Sequence, residues 1–563
     1  MGRRAIASGD PIRRGQRTQH ARTLLAREPG DLVTGRRSSA LPVRVGKGSN
    51  PKPTMNGDEK SDRAIVAVKP ANKAGEPGAE WVEPRAGAKG NASDPHGDRA
   101  QDRETSRLGI ERVRKAAQER KGERFTTLLH HIDATLLRQA YHWLKREAAP
   151  GVDGMTWDAY GEGLDARLRD LEARIHRGSY RAQPSLRAYI PKPDGRQRPL
   201  GIAALEDKIV QRAVVEVLNA IYETDFLGFS YGFRPGRGQH DALDALAVGI
   251  ENRAVNWILD ADIKGFFDNI SHEWMMKFVE HRVGDRRVAR LIRKWLKAGV
   301  VEDGVRQTAI KGTPQGAVIS PLLANIYLHY VYDLWAVQWR KRHARGAMIV
   351  VRYADDTVVG FEHRADAERF LADLRNRMAE FELELHPEKT RLIEFGKHAL
   401  SDRAGRGDGK PETFNFLGFT HICSRSRKGD FLIARHTRRD RTMAKLLEVK
   451  QDLRRRWHQD IAEQGRWLGT VVRGYFAYYA VPTNVRALSA FRYHVADIWR
   501  RALRRRSQKD QTTWQDMGRL ADRWLPKPRI SHPWPSRRFR VKHPRWEPYA
   551  GIPPVRFCAG GAQ

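Results

Sequence analysis

Two adjacent acids interrupt an apolar, β-branched stretch of the sequence. Asp355 and Asp356 stand within "AMIVVRYADDTVVGF", residues 347–361, between two runs typical of β-strands. The pattern predicts a hairpin with the acids at its turn. Asp is common in tight turns, so a purely structural role is one interpretation. Such turns favour Gly or Asn beside the Asp, whereas Tyr353 and Ala354 precede this pair. The hairpin by itself leaves structure and chemistry equally open.

A second acidic element contains acids that could join this pair. In "WILDADIKGFFDNISH", an apolar run leads into Asp260, Asp262 and Asp268 beside two phenylalanines. An acid within an apolar strand is unfavourable to bury unless it meets a metal ion or a cationic side chain. A sheet could bring Asp262 beside Asp355 and Asp356. Clustered carboxylates can hold two Mg²⁺ ions roughly 3.5–4 Å apart, which activate a hydroxyl and stabilise a leaving pyrophosphate. Acids paired with arginines are the structural alternative.

The composition of the chain narrows its partners. Its 563 residues include 102 Lys and Arg against 67 Asp and Glu, a formal net charge of +35. A positive charge of this size indicates a polyanionic partner, above all nucleic acid, with membranes or acidic proteins as alternatives. We find neither a long apolar run nor a secretory signal in the sequence, and we expect no membrane partner. Cys423 and Cys558 form no disulfide framework or zinc spacing, so we expect a cytoplasmic protein, in a prokaryotic cytosol or nucleoid.

Composition also divides the chain into segments. Residues 1–100 are rich in Gly, Pro, Ser and Arg, which predicts a disordered basic extension. Helical spacing of apolar residues follows, from Phe125 to Leu144, and strand-like pieces come next. From residue 436 the pattern is helical, with arginines crowding the polar faces. Past residue 525 the chain becomes Pro-rich and irregular, with Trp among Arg and Lys, a mixture that suits nucleic acid. For the helical bundle, a solvated charge stripe is the alternative.

Several motifs, taken together and in order, resemble the reverse transcriptases. "YADD" resembles their hairpin signature and "DIKGFFD" their first acidic motif. "YIPKPDGRQRPLGI", "SYGFRPGRGQHDAL", "GTPQGAVISPLLANIYL", "HPEKTRLIEF" and "FNFLGFTH" match further family elements, over roughly residues 105–430. "IPKPDG", "SYGFRPGR" and "SPLLANIYL" point to the reverse transcriptase/maturases encoded by group II introns. "RGYFAYYA" is similar to the thumb, or maturase, domain of that family, and "WPSRRF…EPYAG" to the end of its DNA-binding region.

The resemblance implies an α+β fold of the right-hand polymerase type. Fingers and a palm with an antiparallel sheet would occupy residues 101–435, an all-α basic thumb/maturase bundle residues 436–510, and a DNA-binding-like region residues 511–563. Many members also carry a C-terminal endonuclease, often braced by paired cysteines. Because Cys558 stands alone and His532 and His543 are isolated by prolines, we expect no endonuclease domain and no protein-dependent cut of a second DNA strand.

The resemblance also assigns roles to individual residues. Asp262, Asp355 and Asp356 would be the catalytic, metal-binding acids, with the backbone carbonyl of Ile263 as a further ligand. The cofactor would be two Mg²⁺ ions, with Mn²⁺ as an alternative. The expected nucleotide-binding residues are Lys192, Arg198, Phe267 and Gln315, with Phe267 placed under the sugar. The expected nucleic-acid-binding residues are Lys389, Arg473, Arg500, Arg501, Arg504 and Arg505. For Lys389, support of the active-site carboxylates and a plain surface position are alternatives.

The predicted function is RNA-directed DNA synthesis by two-metal nucleotidyl transfer, combined with splicing and mobility of a group II intron RNA. Its partners would be that RNA, target DNA with a primer, and deoxynucleoside triphosphates. One alternative is an RNA-binding maturase with little polymerase role; the intact "YADD" argues against it. Another is a retron or defence-type reverse transcriptase, which predicts a shorter chain without the long basic bundle.

Overall fold

The computed structural model describes residues 97–191, 197–308, 310–506 and 511–542. The predictions for Lys192, for the extension before residue 97 and for the tail after residue 542 therefore lie outside the described residues. The first helix begins at Gly97, slightly before the predicted boundary at residue 100.

Helices dominate the chain up to residue 406. The helix expected to run through Phe125 is interrupted after Glu119, and a new one starts where the Asp133 carboxylate accepts the N–H of Leu136 at 2.7 Å. Between them, Gly122 adopts a φ of 82°, a conformation that favours glycine, in the turn that follows the first helix. The helices are α1 Gly97–Glu119, α2 Ala134–Trp143, α3 Trp157–Gly161, α4 Leu164–His176, α5 Leu205–Asp225, α6 Gln239–Asn252, α7 Phe266–Asn269, α8 His272–Arg282, α9 Arg286–Lys297, α10 Ser320–Leu328, α11 Leu334–His343, α12 Arg364–Glu380 and α13 Lys397–Arg406.

The strands form three sheets within the described residues. One has the order β2-β1-β4-β5, a central one has the order β6-β7-β3-β8, and a third has the order β11-β10-β9. Every pair in the central and third sheets is antiparallel. The strands are β1 Ser185–Pro191, β2 Gln197–Ile202, β3 Trp257–Ala261, β4 Val300–Glu302, β5 Val305–Gln307, β6 Met348–Tyr353, β7 Asp356–Phe361, β8 Arg391–Glu394, β9 Phe414–Phe416, β10 Phe419–Arg425 and β11 Phe431–Thr437.

The central sheet is buried on both faces. Leu259 and Val359 face one core, which they share with helices that include α5, α10 and α12. Ile258 and Val358, the neighbouring residues, face a second core with α6 and the third sheet. Because successive side chains point to opposite faces, strands covered on both sides must be apolar throughout. A sheet held in this way is a rigid support for groups at its ends.

A helical bundle and a short docked helix complete the described chain. The bundle consists of α14 Arg439–Arg455, α15 Ile461–Tyr479, α16 Val485–Arg504 and α17 Trp514–Trp524. Its core is separate from the two cores of the sheet. The Pro-rich segment after residue 525 was expected to be irregular, and this expectation was wrong for α18, Pro535–Lys542. Here Phe539 is buried in the second sheet core, and Arg538 lies 3.2 Å from Asp244 of α6. In the part of the chain that is described, every helix is too short or too polar to span a bilayer.

Candidate active site

The two adjacent acids lie at the tightest turn of the central sheet. Tyr353 pairs with Asp356, so Ala354 and Asp355 alone form the turn between β6 and β7. Ala354 has a φ of 56°, a left-handed conformation that costs a residue with a Cβ about 1–2 kcal/mol. Surrounding contacts must therefore hold this turn in place.

A buried arginine supplies part of this support. Arg352 is fully buried, and its guanidinium donates to the carboxylate of Asp333 at 2.7 and 2.6 Å. The same group donates to the carbonyl of Ala354 at 2.9 Å. It also donates to the side-chain oxygens of Asn325, at 3.0 Å, and Ser230, at 2.7 Å. The charge is thus paired and fully hydrogen-bonded, which is the condition for burying it.

A close backbone contact supports the turn from the same side. Tyr231 donates its N–H to the carbonyl of Arg352 at 2.9 Å. A Cβ on Gly232 would lie 2.3 Å from the nitrogen of Ala354, so only glycine permits this approach. The carbonyl of Gly232 accepts the side-chain amide of Asn325 at 2.7 Å. The segment "SYGFRPGR" therefore packs against the acidic turn, a role that the sequence motif did not reveal.

The third acid lies beside this turn. In the antiparallel register of β3 and β7, Ala261 pairs with Thr357, and one step further Asp262 comes level with Asp356. Asp260 lies two residues earlier, so it projects to the same face as Asp262. The structure thus places the predicted acids at one end of the sheet.

Burial raises the pKa of Asp260, Asp355 and Asp356, and repulsion from neighbouring acids adds to the shift. Neighbouring protein atoms limit the solvation of the Asp356 carboxylate and raise its pKa, and repulsion from Asp355, Asp262 and Asp260 adds to this, although the residue as a whole is exposed. Desolvation likewise raises the pKa of Asp355, while the charge of Arg198 opposes the shift. Desolvation raises the pKa of Asp260 to about 6. A group of acids that resist ionising together is one that a cation would stabilise.

Lys389 supplies one such cation. Its Nζ donates to Oδ2 of Asp262 at 2.8 Å, with about half of the lysine side chain exposed. The backbone holds this segment near the acid, because His386 donates its N–H to the carbonyl of Asp262 at 2.8 Å. Of the roles considered for Lys389, this geometry favours support of the active-site carboxylates.

Two predicted residues follow Asp262 on the same segment. Lys264 donates its N–H to Glu384 in the antiparallel bridge that aligns Ile263 with Leu385. Carbonyls alternate in direction along an extended chain. The carbonyl of Ile263 therefore points away from the neighbouring segment that contains Glu384 and Leu385. Phe267 lies in α7, where it is partly buried and its carbonyl accepts the N–H of Thr313 at 2.8 Å.

The β1–β2 hairpin meets the segment that contains Gln315. The carbonyl of Gln315 accepts the N–H of Gly201 at 2.6 Å. A Cβ on Gly201 would lie 2.8 Å from the Cβ of Pro314, so this approach also requires glycine. Arg198, three residues earlier on β2, is exposed and close enough for its charge to act on Asp355.

The predicted nucleic-acid-binding arginines lie in the bundle and differ in their contacts. Arg500 stacks over the ring of Trp514 at 4.5 Å, and Arg501 forms an ion pair with Asp497 at 2.7 Å. Arg504 and Arg505 are exposed at the end of α16. Arg473, on α15, is also exposed, and it donates to a neighbouring threonine at 3.1 Å.

The donor set suits a divalent cation, but the described geometry is not a closed metal site. Asp262, Asp355 and Asp356 offer the hard oxygen ligands that Mg²⁺ prefers. Among the residues that the structure describes, no three His, Cys, Asp or Glu side chains are arranged to hold a metal ion. The Lys389 ammonium instead neutralises Asp262. The ligand type of these residues therefore suits Mg²⁺, and binding of the ion would require their side chains to converge.

Comparison with known proteins assigns the chain to a family. Residues 190–421 match the model of the reverse transcriptase (RNA-dependent DNA polymerase) family. Protein YkfC of Escherichia coli K12 is 34% identical over 317 residues, which cover 50% of this chain and 78% of YkfC. The group II intron-encoded protein LtrA of Lactococcus lactis subsp. cremoris is 35% identical over 238 residues, which cover 42% of this chain and 39% of LtrA. The chain belongs to the group II intron reverse transcriptase/maturase family.

Membership in this family explains the combination of motifs. The enzyme class is RNA-directed DNA polymerase, and the matched region contains Arg198, Asp262, Gln315 and the acidic turn. A further relative, the mitochondrial nuclear intron maturase 3 of Arabidopsis thaliana, is 28% identical over 125 residues, which cover 22% of this chain and 17% of that protein.

Proposed function

We propose that this protein copies group II intron RNA into DNA and assists the splicing and mobility of that RNA. The observation that carries this proposal is the position of Asp262 beside Asp355 and Asp356, at one end of a sheet that is buried on both faces. In polymerase terms, the central sheet would be the palm, the β1–β2 hairpin the fingers, and the α14–α17 bundle the thumb.

The protein's own residues would divide the work of nucleotide addition. Two Mg²⁺ ions held by the three acids and the carbonyl of Ile263 would lower the pKa of the primer 3′-hydroxyl and neutralise the triphosphate. Arg198 would grip the triphosphate with a planar, bidentate guanidinium. Phe267 would lie under the sugar.

Other residues would position the substrates. Gln315 would position the nucleotide against the template, and its backbone bond to Gly201 at 2.6 Å joins its segment to the fingers hairpin. Lys389 would balance the charge of Asp262 until an ion binds.

The second activity would be RNA binding. The exposed arginines of the bundle, with a whole-chain charge of +35, suit the phosphate backbone of a folded RNA. A splicing maturase with little polymerase role is the alternative function. The clustering of Asp262, Asp355 and Asp356 at one end of the central sheet favours the enzyme, because crowded acids of this kind are typical of catalytic sites.

Removing the metal-ligand charge should separate the two activities. We expect Asp355→Asn to abolish extension of an annealed primer on an RNA template, because the amide keeps the shape but loses the charge. Binding of folded RNA should remain near the wild-type level. Primer-extension gels and filter binding on the same preparation would measure both, and extension should require Mg²⁺ or Mn²⁺.

The matched control is Asp402→Asn, the same change at an exposed position of α13. It should leave both activities unchanged. Equal loss of extension and RNA binding in Asp355→Asn would contradict the division of roles. Extension that survives EDTA would contradict the use of metal ions.

A further inference from the structure

A surface cavity of about 340 Å³ lies outside the acidic segments and is lined mainly by cations. None of its lining residues belongs to the central sheet. It lies where the C-terminal half of α9 meets the segment after α4 and strand β5. We call it the basic cavity, and its charged lining residues are Arg181, Arg290, Arg293, Lys294, Lys297 and Arg306.

The sequence of α9 produces this cavity. Arg290, Arg293, Lys294 and Lys297 recur at helical spacing and therefore share one face. The opposite face is apolar and buried in the core, which fixes the direction in which the cations point. Its buried residues are Val288, Ala289, Leu291, Ile292, Trp295 and Leu296. The positive stripe is thus held on a helix that cannot rotate without exposing its apolar face.

Three of the six cations have structural partners. Lys294 donates to the carbonyl of Tyr180, which ties the segment after α4 to α9. Arg293 forms an ion pair with Glu280, and Arg306 donates to the carbonyl of Ala298 at 3.1 Å. These contacts shape the walls of the cavity.

The other three cations have no such partner. Within the described ranges, Arg181, Arg290 and Lys297 form no ion pair with a carboxylate, and all three are exposed. Burial lowers the pKa of Lys294, and the positive charges of Arg290 and Arg181 lower it further. Like charges held together repel one another unless an anion lies between them.

We propose that the basic cavity binds the phosphodiester backbone of folded RNA, through residues that belong to neither acidic segment. This inference rests on the proposed RNA partner. An enclosed site for a small anion would bury its cations. Arg181, Arg290 and Lys297 are instead exposed on two chain segments, which suits an RNA strand that passes across them. Arginine guanidiniums are well matched to phosphate oxygens.

The test neutralises the three unpaired cations together, as Arg181→Gln/Arg290→Gln/Lys297→Gln in the full chain. The control is Lys341→Gln/Arg342→Gln/Arg375→Gln, which removes the same charge from exposed residues of α11 and α12. Among the described residues, these three cations also form no ion pair. The probes are RNA transcribed from the DNA that flanks the coding frame and duplex DNA of equal length. Filter binding over a range of salt concentrations gives the affinity and its salt dependence.

We expect the cavity variant to bind the RNA on the order of 50-fold more weakly near 0.15 M salt, with a log–log salt slope flatter by about 2–3, since each lost phosphate contact flattens it by about 0.7–0.9. Duplex DNA binding and primer extension on a short annealed template should stay near the wild-type level. The control triple should change RNA affinity much less.

Three outcomes would overturn the inference. One is a cavity variant whose RNA affinity and slope match those of the control triple. Another is an equal loss for RNA and duplex DNA, which would mean unspecific attraction. The third is a parallel loss of primer extension, which would place the cavity on the path of template and primer. If the wild type extends no primer at all, the proposed polymerase function fails, while the RNA comparison still decides the role of the cavity.

Discussion

Ala354 occupies a conformation that its side chain disfavours, and two neighbours keep it there. The Arg352 guanidinium donates to its carbonyl, while Gly232 lies against its nitrogen. In the proposed mechanism the adjacent acids converge on a common point, so a small shift of this turn would affect chemistry more than folding. Under this proposal Gly232 and Arg352 would be positioning residues, and neither would touch the substrate.

The first prediction concerns Gly232. We expect Gly232→Ala to lower the rate of primer extension by about 100-fold, because a Cβ 2.3 Å from the nitrogen of Ala354 must displace the turn, and misplacement by about 1 Å has such an effect. RNA affinity should remain near the wild-type value. Single-turnover extension and filter binding would measure the two quantities.

The matched control is Gly405→Ala, at a helical position of α13 where a Cβ meets no atom within 4 Å. It should leave extension unchanged. Wild-type extension in Gly232→Ala would show that the turn tolerates displacement. A parallel loss of RNA binding would indicate unfolding instead.

The second prediction concerns the sugar. We expect Phe267→Ala to reduce discrimination against ribonucleotides by roughly 10- to 100-fold, since an aromatic ring under the sugar would exclude a 2′-hydroxyl by shape. Phe267→Tyr, which keeps the ring, should retain most of the discrimination. The ratio of kcat/KM for matched ribo- and deoxynucleotides is the measurement. An unchanged ratio in Phe267→Ala would place the gate elsewhere.

In the bundle, helices α15 and α17 approach each other closely at two glycines of α15. A Cβ on Gly465 of α15 would lie 2.5 Å from the ring of Trp524, and one on Gly469 would lie 2.6 Å from the carbonyl of the same residue. The spacing of four residues puts both glycines on one face of the helix. The sequence "QGRWLG" thus allows α17 to pack directly on α15.

The third prediction follows from this contact. We expect Gly465→Ala to destabilise the bundle by about 1–3 kcal/mol, as overpacking of a filled interface does. Gly474→Ala, on the same helix but with open space around it, should instead stabilise it by about 0.5–1 kcal/mol. Melting temperatures of the two variants should therefore move in opposite directions. A shift of the same sign in both would mean that helix propensity outweighs the contact.

The elements show which features a sequence reveals and which it hides. The acidic turn and the strand before Asp262 were predictable, because local periodicity and turn residues specify both. The role of Arg352 was not, since its partner Asp333 lies outside the strand and is reached only through the fold. The helix break at Gly122 could have been found from the glycine itself. The continuous apolar spacing around Phe125 hid it.

At the scale of the whole molecule, the net charge of +35 comes from cationic side chains of two kinds. Some form ion pairs within the fold, and others are available to bind a partner. Many arginines are already engaged, as Arg352 is with Asp333 and Arg501 with Asp497. Only cations without such partners can release counterions fully when they meet phosphate. Among the described residues, the cations that qualify on this ground include the unpaired members of the basic cavity, and Arg504 with Arg505 on the bundle.

The fourth prediction is that these two sets act independently on RNA binding. We expect Arg504→Gln/Arg505→Gln to flatten the log–log salt slope of RNA affinity by about 1.4–1.8, at about 0.7–0.9 for each contact. Combined with the triple change in the basic cavity, the two losses of binding free energy should add, because independent sites contribute additively. Titrations of the single, double and combined sets at several salt concentrations would test this.

The same helix provides the control for this prediction. Arg500→Gln/Arg501→Gln removes the same charge, but from guanidiniums that already contact Trp514 and Asp497. If bound phosphates and not net charge determine the slope, this pair should flatten it clearly less than Arg504→Gln/Arg505→Gln does. Equal slopes for the two pairs would show that RNA responds to the total field of the protein. A combined variant no weaker than the cavity variant alone would show that the bundle arginines face solvent when RNA is bound.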